Sequence, residues 1–174
     1  MMMITAILSH TPIWVWALLA ALLAIGLAQT KTREVSLTRI TVLPVILLVL
    51  SVAGVFTAFG HQPLALGAWA AGLAASLTLA RSWVAVRTAS WSPATQRLHV
   101  PGSWLPLTLI VGLFMIKYMV GVTLAMEPAM AHNATFAGCC GLAYGGFSGL
   151  FAARALSLRA LATRSATNSG AQTA

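Results

Sequence analysis

Five long apolar stretches separated by short polar segments account for most of the 174 residues. They run from Pro12 to Gln29, Ile40 to Gly60, Leu64 to Val86, Ser103 to Met126 and Ala134 to Ala155. A helix crosses the hydrocarbon core of a bilayer with about 20 apolar residues, so each stretch reads as one span. The pattern predicts an all-α fold, a five-helix transmembrane bundle, with residues 1–158 forming a single domain. Residues 159–174 carry Ser, Thr, Asn, Gly and Gln without a periodic apolar face, and a polar, disordered tail is expected there. The longest connection, Trp83 to Gly102, ends in Pro101-Gly102, a turn signal for re-entry into the membrane.

Composition strengthens this reading. With 59% hydrophobic and 7% charged residues and a mean hydropathy of +0.89, the chain has too little polar surface to cover a soluble domain. Nine of its ten Lys and Arg residues fall in three clusters: Lys31, Arg33 and Arg39; Arg81, Arg87 and Arg97; Arg154, Arg159 and Arg164. The clusters lie two apolar stretches apart, as cytoplasmic loops do under the positive-inside rule. The opposite segments, Met1 to Thr11, His61 to Pro63 and Glu127 to Asn133, contain no Lys or Arg, which places the amino terminus outside and the carboxyl terminus in the cytoplasm. The cations follow the first stretch instead of preceding it, so an uncleaved span is expected there, not a signal peptide. Trp14, Trp16 and Trp69 fall near the outer boundary, and Trp83, Trp91 and Trp104 near the inner one. The net charge of +8 then points to anionic lipid at the cytoplasmic loops and not to nucleic acid, for which no motif is present.

Small residues mark where helices meet. Ala137, Gly141, Gly145, Gly149 and Ala153 recur every four residues on the fifth stretch, and Ala68, Gly72, Ser76 and Ala80 form a weaker ridge on the third. The fifth helix is expected to be the most tightly packed, against a helix of its own chain or, alternatively, across a homodimer or against another membrane protein. Pro44 bends its helix at most, and the adjacent Cys139 and Cys140 read as small packing residues.

The tenth cation, Lys117, sits within the fourth stretch, about nine residues or roughly 14 Å from its outer end. The only side-chain carboxylates are Glu34 and Glu127, and neither lies in a span. An intramembrane amine is costly and needs hydroxyls, carbonyls, water or an incoming anion. Tyr118, Tyr144, Ser148, Thr57 and Thr123 are the candidate partners, with Lys117, Tyr118, Tyr144 and Ser148 forming an intramembrane polar or ligand-binding site. His10, His61 and His132 share the outer side with Glu127 and could supply a metal or haem site, though their spacing carries no metal-ligand interval. No nucleophile has a base and an orienter, so no catalytic residue is assigned and no cofactor is expected.

His10-Thr11-Pro12-Ile13-Trp14-Val15, Pro101-Gly102-Ser103-Trp104-Leu105-Pro106-Leu107, Lys117-Tyr118 with Gly121-Val122, and Tyr144-Gly145 through Ser148-Gly149 carry a resemblance. Over nearly its whole length the chain resembles a bacterial family of small integral membrane proteins designated a domain of unknown function. The resemblance implies a multi-pass protein of the bacterial inner (cytoplasmic) membrane in which His10, Trp104, Lys117 and Tyr118 belong to recurring motifs. A looser similarity, in span number and basic inner loops, is to the CcdC-like membrane proteins. The leading expectation is a small non-enzymatic accessory or assembly partner. The alternative is a small-solute or anion binding or transport protein centred on Lys117, and a third reading is metal or haem binding by the outer histidines.

Overall fold

The computed structural model describes residues 11–60, 62–80, 90–92 and 97–171. Five α-helices dominate them: α1 (Ile13–Ala28), α2 (Leu37–Phe59), α3 (Pro63–Leu79), α4 (Leu105–Met126) and α5 (Ala134–Ala171). A short 3-10 turn, Pro128–His132, joins α4 to α5. Pro63 and Pro106 stand at helix starts, where a missing N–H costs little. Gly60 closes α2 with a φ of 61°, a left-handed conformation that suits glycine.

Among the described residues, three helices are long and apolar enough to cross a membrane: Ile40–Phe59 within α2, α4, and Ala134–Arg164 within α5. At 16 and 17 residues, α1 and α3 reach about 24 and 26 Å, short of the ~30 Å of a hydrocarbon core. The third stretch therefore differs from the expected Leu64 to Val86: its helix stops at Leu79 with Ala80 as cap, and residues 81–89 lie outside the described ones.

Two further corrections follow. The fold is mostly helical but includes a small antiparallel sheet, β1 (Arg33–Val35), β2 (Ser90–Ser92) and β3 (Arg97–Val100), in the order β1-β3-β2. Val35 pairs with Leu98, and both are buried while Arg97 and His99 face out, the period of two expected of a half-covered strand. Secondly, the segment expected to be disordered after Leu158 is helical through Ala171. Ala155, Leu158 and Ala162 lie on one face, and Ala162 is 2% exposed in a cluster with Ile40, Leu98 and Val100. Alanine, leucine and arginine favour helix, and the sheet supplies the apolar surface that this face covers. α2 begins at Leu37, so Pro44 sits inside the helix and deprives the Ile40 carbonyl of its usual donor.

The chain's centre is the contact of α3 with α5. A Cβ on Gly141 would land on the Ala65 carbonyl oxygen, one on Gly145 on that of Trp69, and one on Gly149 on the Leu73 carbonyl and Ser76 side chain. In return, Gly72 lies against the Leu142 carbonyl and the Gly146 amide. The two small-residue ridges thus face one another within one chain, with backbone against backbone. α1 runs alongside α4, Gly26 receiving Leu107, and α4 leans on α5 where the Phe147 ring covers Gly112.

Glycine-to-alanine substitutions separate contact from propensity. Gly145→Ala is expected to lower stability by about 1–3 kcal/mol through overpacking, whereas Gly67→Ala, with open space around it, gains up to about 1 kcal/mol of helix propensity. Thermal unfolding of the detergent-solubilised protein, followed by circular dichroism, reads both.

Candidate functional site

Lys117 projects from the middle of α4 into the junction with α2 and α5. Its ammonium nitrogen fills the space left by the missing side chain of Gly54 and stands 4.9 Å from the centroid of the Tyr144 ring. That is cation–π distance, an attraction of up to about 2 kcal/mol where water is excluded. The geometry thus pairs Lys117 with the face of Tyr144.

The other candidate partners are engaged elsewhere. Tyr118 bonds Thr11, hydroxyl to hydroxyl at 2.8 Å, and stacks on Phe114, so it ties α4 to the segment preceding α1. Ser148 donates to the Tyr144 carbonyl one turn back at 2.8 Å. Thr57 and Thr123 donate to the Gly54 and Met119 carbonyls of their own helices.

Beside Lys117 runs a polar relay that sequence reasoning missed. The Trp69 indole N–H donates to the Ser51 hydroxyl at 3.1 Å, and Ser51 donates to the Tyr144 carbonyl at 3.3 Å. Ser51 is 0% exposed, so α2, α3 and α5 are joined through one buried hydroxyl. Trp69, read in sequence as an interfacial anchor, therefore turns its polar edge into the bundle. The available signal was the lone serine of the second apolar stretch.

At the end of the bundle that carries the sheet, Arg33 stands on β1, Arg97 on β3 and Arg154 on α5, while Arg81 and Arg87 lie outside the described residues. Glu34 and Arg97 approach to 3.8 Å on the exposed face of the sheet. Next to them a cleft of about 350 Å³ opens between α1, α2, α4 and α5, with Arg33, Gln29 and Arg154 among its lining residues. Neither arginine was singled out from sequence beyond its topological role.

Of the three histidines considered for a metal, His132 ends the 3-10 turn and is exposed, while His10 and His61 lie outside the described residues. Among the described residues, no group of three or more His, Cys, Asp or Glu could hold a metal ion.

Comparison with known proteins agrees with the extent of the resemblance. The model of a family of unknown function, DUF6622, matches residues 1–169. The chain belongs to the DUF6622 family. A bacterial relative, the uncharacterized protein PM0739 of Pasteurella multocida (strain Pm70), is 40% identical over 62 residues, covering 36% of this chain. That stretch is 47% of the relative, so the match spans about half of its length. No solved structure matches. DUF6622 membership fixes a family without an activity.

Two substitution pairs probe the junction. Tyr144→Phe keeps the ring and is expected to unfold close to the parent, while Tyr144→Leu loses about 2 kcal/mol or more. Equal losses in chemical denaturation would show that the hydroxyl, not the ring, matters. Ser51→Ala strands the Trp69 N–H at a cost of about 1–3 kcal/mol. The double variant Ser51→Ala, Trp69→Phe should recover part of that loss in the same assay, because no donor is left unpaired.

Proposed function

We propose that this DUF6622 protein is an integral, multi-pass component of a bacterial inner membrane, with its amino terminus outside and its carboxyl terminus in the cytoplasm. It acts as a non-enzymatic accessory or assembly partner. The observation carrying the accessory reading is the internal use of the polar groups: Ser51, Trp69, Ser148 and Lys117 are all spent on links between or within helices. A carrier built on Lys117 needs those groups turned toward a solute.

The membrane placement has its own support. Val45, Val49, Leu50, Met115, Met119 and Leu142 are exposed on the helices, an apolar exterior suited to lipid. Among the described residues, Lys31, Arg33 and Arg97 lie in the connections where α1 ends and α2 and α4 begin, which suits contact with an anionic inner leaflet. The shorter α1 and α3 are accommodated by local thinning of the bilayer.

In cells, a carboxyl-terminal green fluorescent protein fusion should fluoresce and an alkaline phosphatase fusion should be inactive; the reverse pair overturns the orientation. After reconstitution, Lys117→Met should leave vesicle permeability to small anions at the level of the parent. A Lys117-dependent anion flux would instead establish the carrier reading.

A further inference from the structure

The Tyr144 ring meets the charge of Lys117 on one side but gives its three N–H bonds no lone pair to donate to. Among the described residues the ammonium makes no hydrogen bond and no ion pair, and the Tyr144 hydroxyl, at the rim of the same ring, makes no hydrogen bond either. Every fully buried side-chain nitrogen or oxygen among those residues does have a partner. Both groups therefore reach the surface of the bundle, although Tyr144 is only 2% exposed.

The way to them lies between α2 and α4. Lys117 crosses from α4 to Gly54 on α2, and one turn on from it Gly121 is exposed, with open space where a side chain would stand. Leu50 and Thr57, a turn to either side of Gly54, are exposed as well. The result is a notch in the lipid-facing surface with a cation at its base. Along α4 that cation is about 18 Å from Leu105 and about 14 Å from Met126, near the middle of a ~30 Å hydrocarbon core.

At that depth few acceptors are to be had. Lipid tails carry none, and headgroups lie at the two faces. The side-chain carboxylates of this chain are Glu34, on β1, and Glu127, just beyond α4, so neither this chain nor a second copy brings one to mid-membrane depth. A soluble anion would have to cross lipid to enter beside Leu50 and Gly121. A carboxylate carried on another helix of the membrane meets none of these obstacles. Alone in lipid it is as costly as the ammonium, and a pair relieves both costs together through charge-assisted hydrogen bonds.

We propose that the notch between α2 and α4 receives a transmembrane helix of a second protein, one that bears an aspartate or glutamate at mid-membrane depth, with that carboxylate paired to Lys117. The inference deepens the assembly-partner reading and rests on it. Gly54 and Gly121 let the incoming backbone come close, and the Tyr144 ring keeps hold of the cation from the other side. The Tyr144 hydroxyl is a second donor for the same carboxylate.

The full chain, tagged at its carboxyl terminus with a fluorescent protein and reconstituted in phosphatidylcholine vesicles, tests this against labelled synthetic transmembrane peptides of leucine and alanine. The peptides carry one central Glu, one central Lys or no charged residue in the core, and energy transfer reads the association. The Glu peptide is expected to give saturable transfer, with the Lys and uncharged peptides at the level of chance encounter. Lys117→Met should weaken the Glu peptide about tenfold, the scale of an interhelical polar link. Lys117→Glu should exchange the preference and take the Lys peptide, a gain that a misfolded chain does not produce. Gly121→Leu keeps the charge and fills an open position, and it should weaken the Glu peptide as well. Equal binding of the Glu and uncharged peptides by the parent, or of the Glu peptide by the parent and Lys117→Met, would overturn the pairing. The outcome is separable from that of the assembly reading: a Lys117-dependent anion flux removes both, whereas no flux with no preference for Glu removes the pairing alone.

Discussion

Backbone contact between α3 and α5 is the constraint on which the other contacts depend. In a lipid environment apolar side chains gain little by leaving lipid for protein, so helices associate through close packing and polar links. Glycines at 141, 145 and 149 remove the side chains that would hold α5 away from the carbonyls of Ala65, Trp69 and Leu73. Once α3 lies that close, Trp69 is near enough for its indole N–H to reach Ser51 on α2. The same serine reaches the Tyr144 carbonyl, so the glycine ridge and the buried relay are two parts of one three-helix joint.

Lys117 is intelligible within that joint. The absence of a side chain at Gly54 gives its amine room, and the aromatic face of Tyr144 gives it a diffuse negative partner. A carboxylate there would have offered a stronger attraction but a second charge to desolvate. The ring offers attraction without that penalty. A lysine that looks in sequence like an unanswered charge becomes a link between α4 and α5 in the fold.

The two poles of the molecule divide their labour. Ser51, Trp69 and Ser148, in the middle of the bundle, are consumed by internal bonds, whereas the basic end keeps a cleft in which Arg33 and Arg154 face the same space. That end is built by the least helical part of the chain. The sheet covers Ile40, Ala155, Leu158 and Ala162, and it thereby extends α5 beyond the apolar stretch and carries Arg33 to Arg154.

The helices themselves were legible because apolar length is a local property: α1, α2 and α4 lie within a few residues of the stretches read from sequence. The small-residue ridges were legible too, since spacing of four needs no partner to be seen. By itself, the sequence determined the helical class, the grouping of cations and the membership of the DUF6622 family. It could not reveal the sheet, because three- and four-residue strands such as Arg97–Val100 alternate too briefly to stand out, and β1 joins β3 by pairing Val35 with the distant Leu98. Nor could it show that Ser51 meets Trp69, that Tyr144 meets Lys117 by its face, or that Arg33 joins Arg154. Those pairings belong to residues far apart in the chain, and only the distance at which the glycine backbones allow the helices to pack decides which side chains touch.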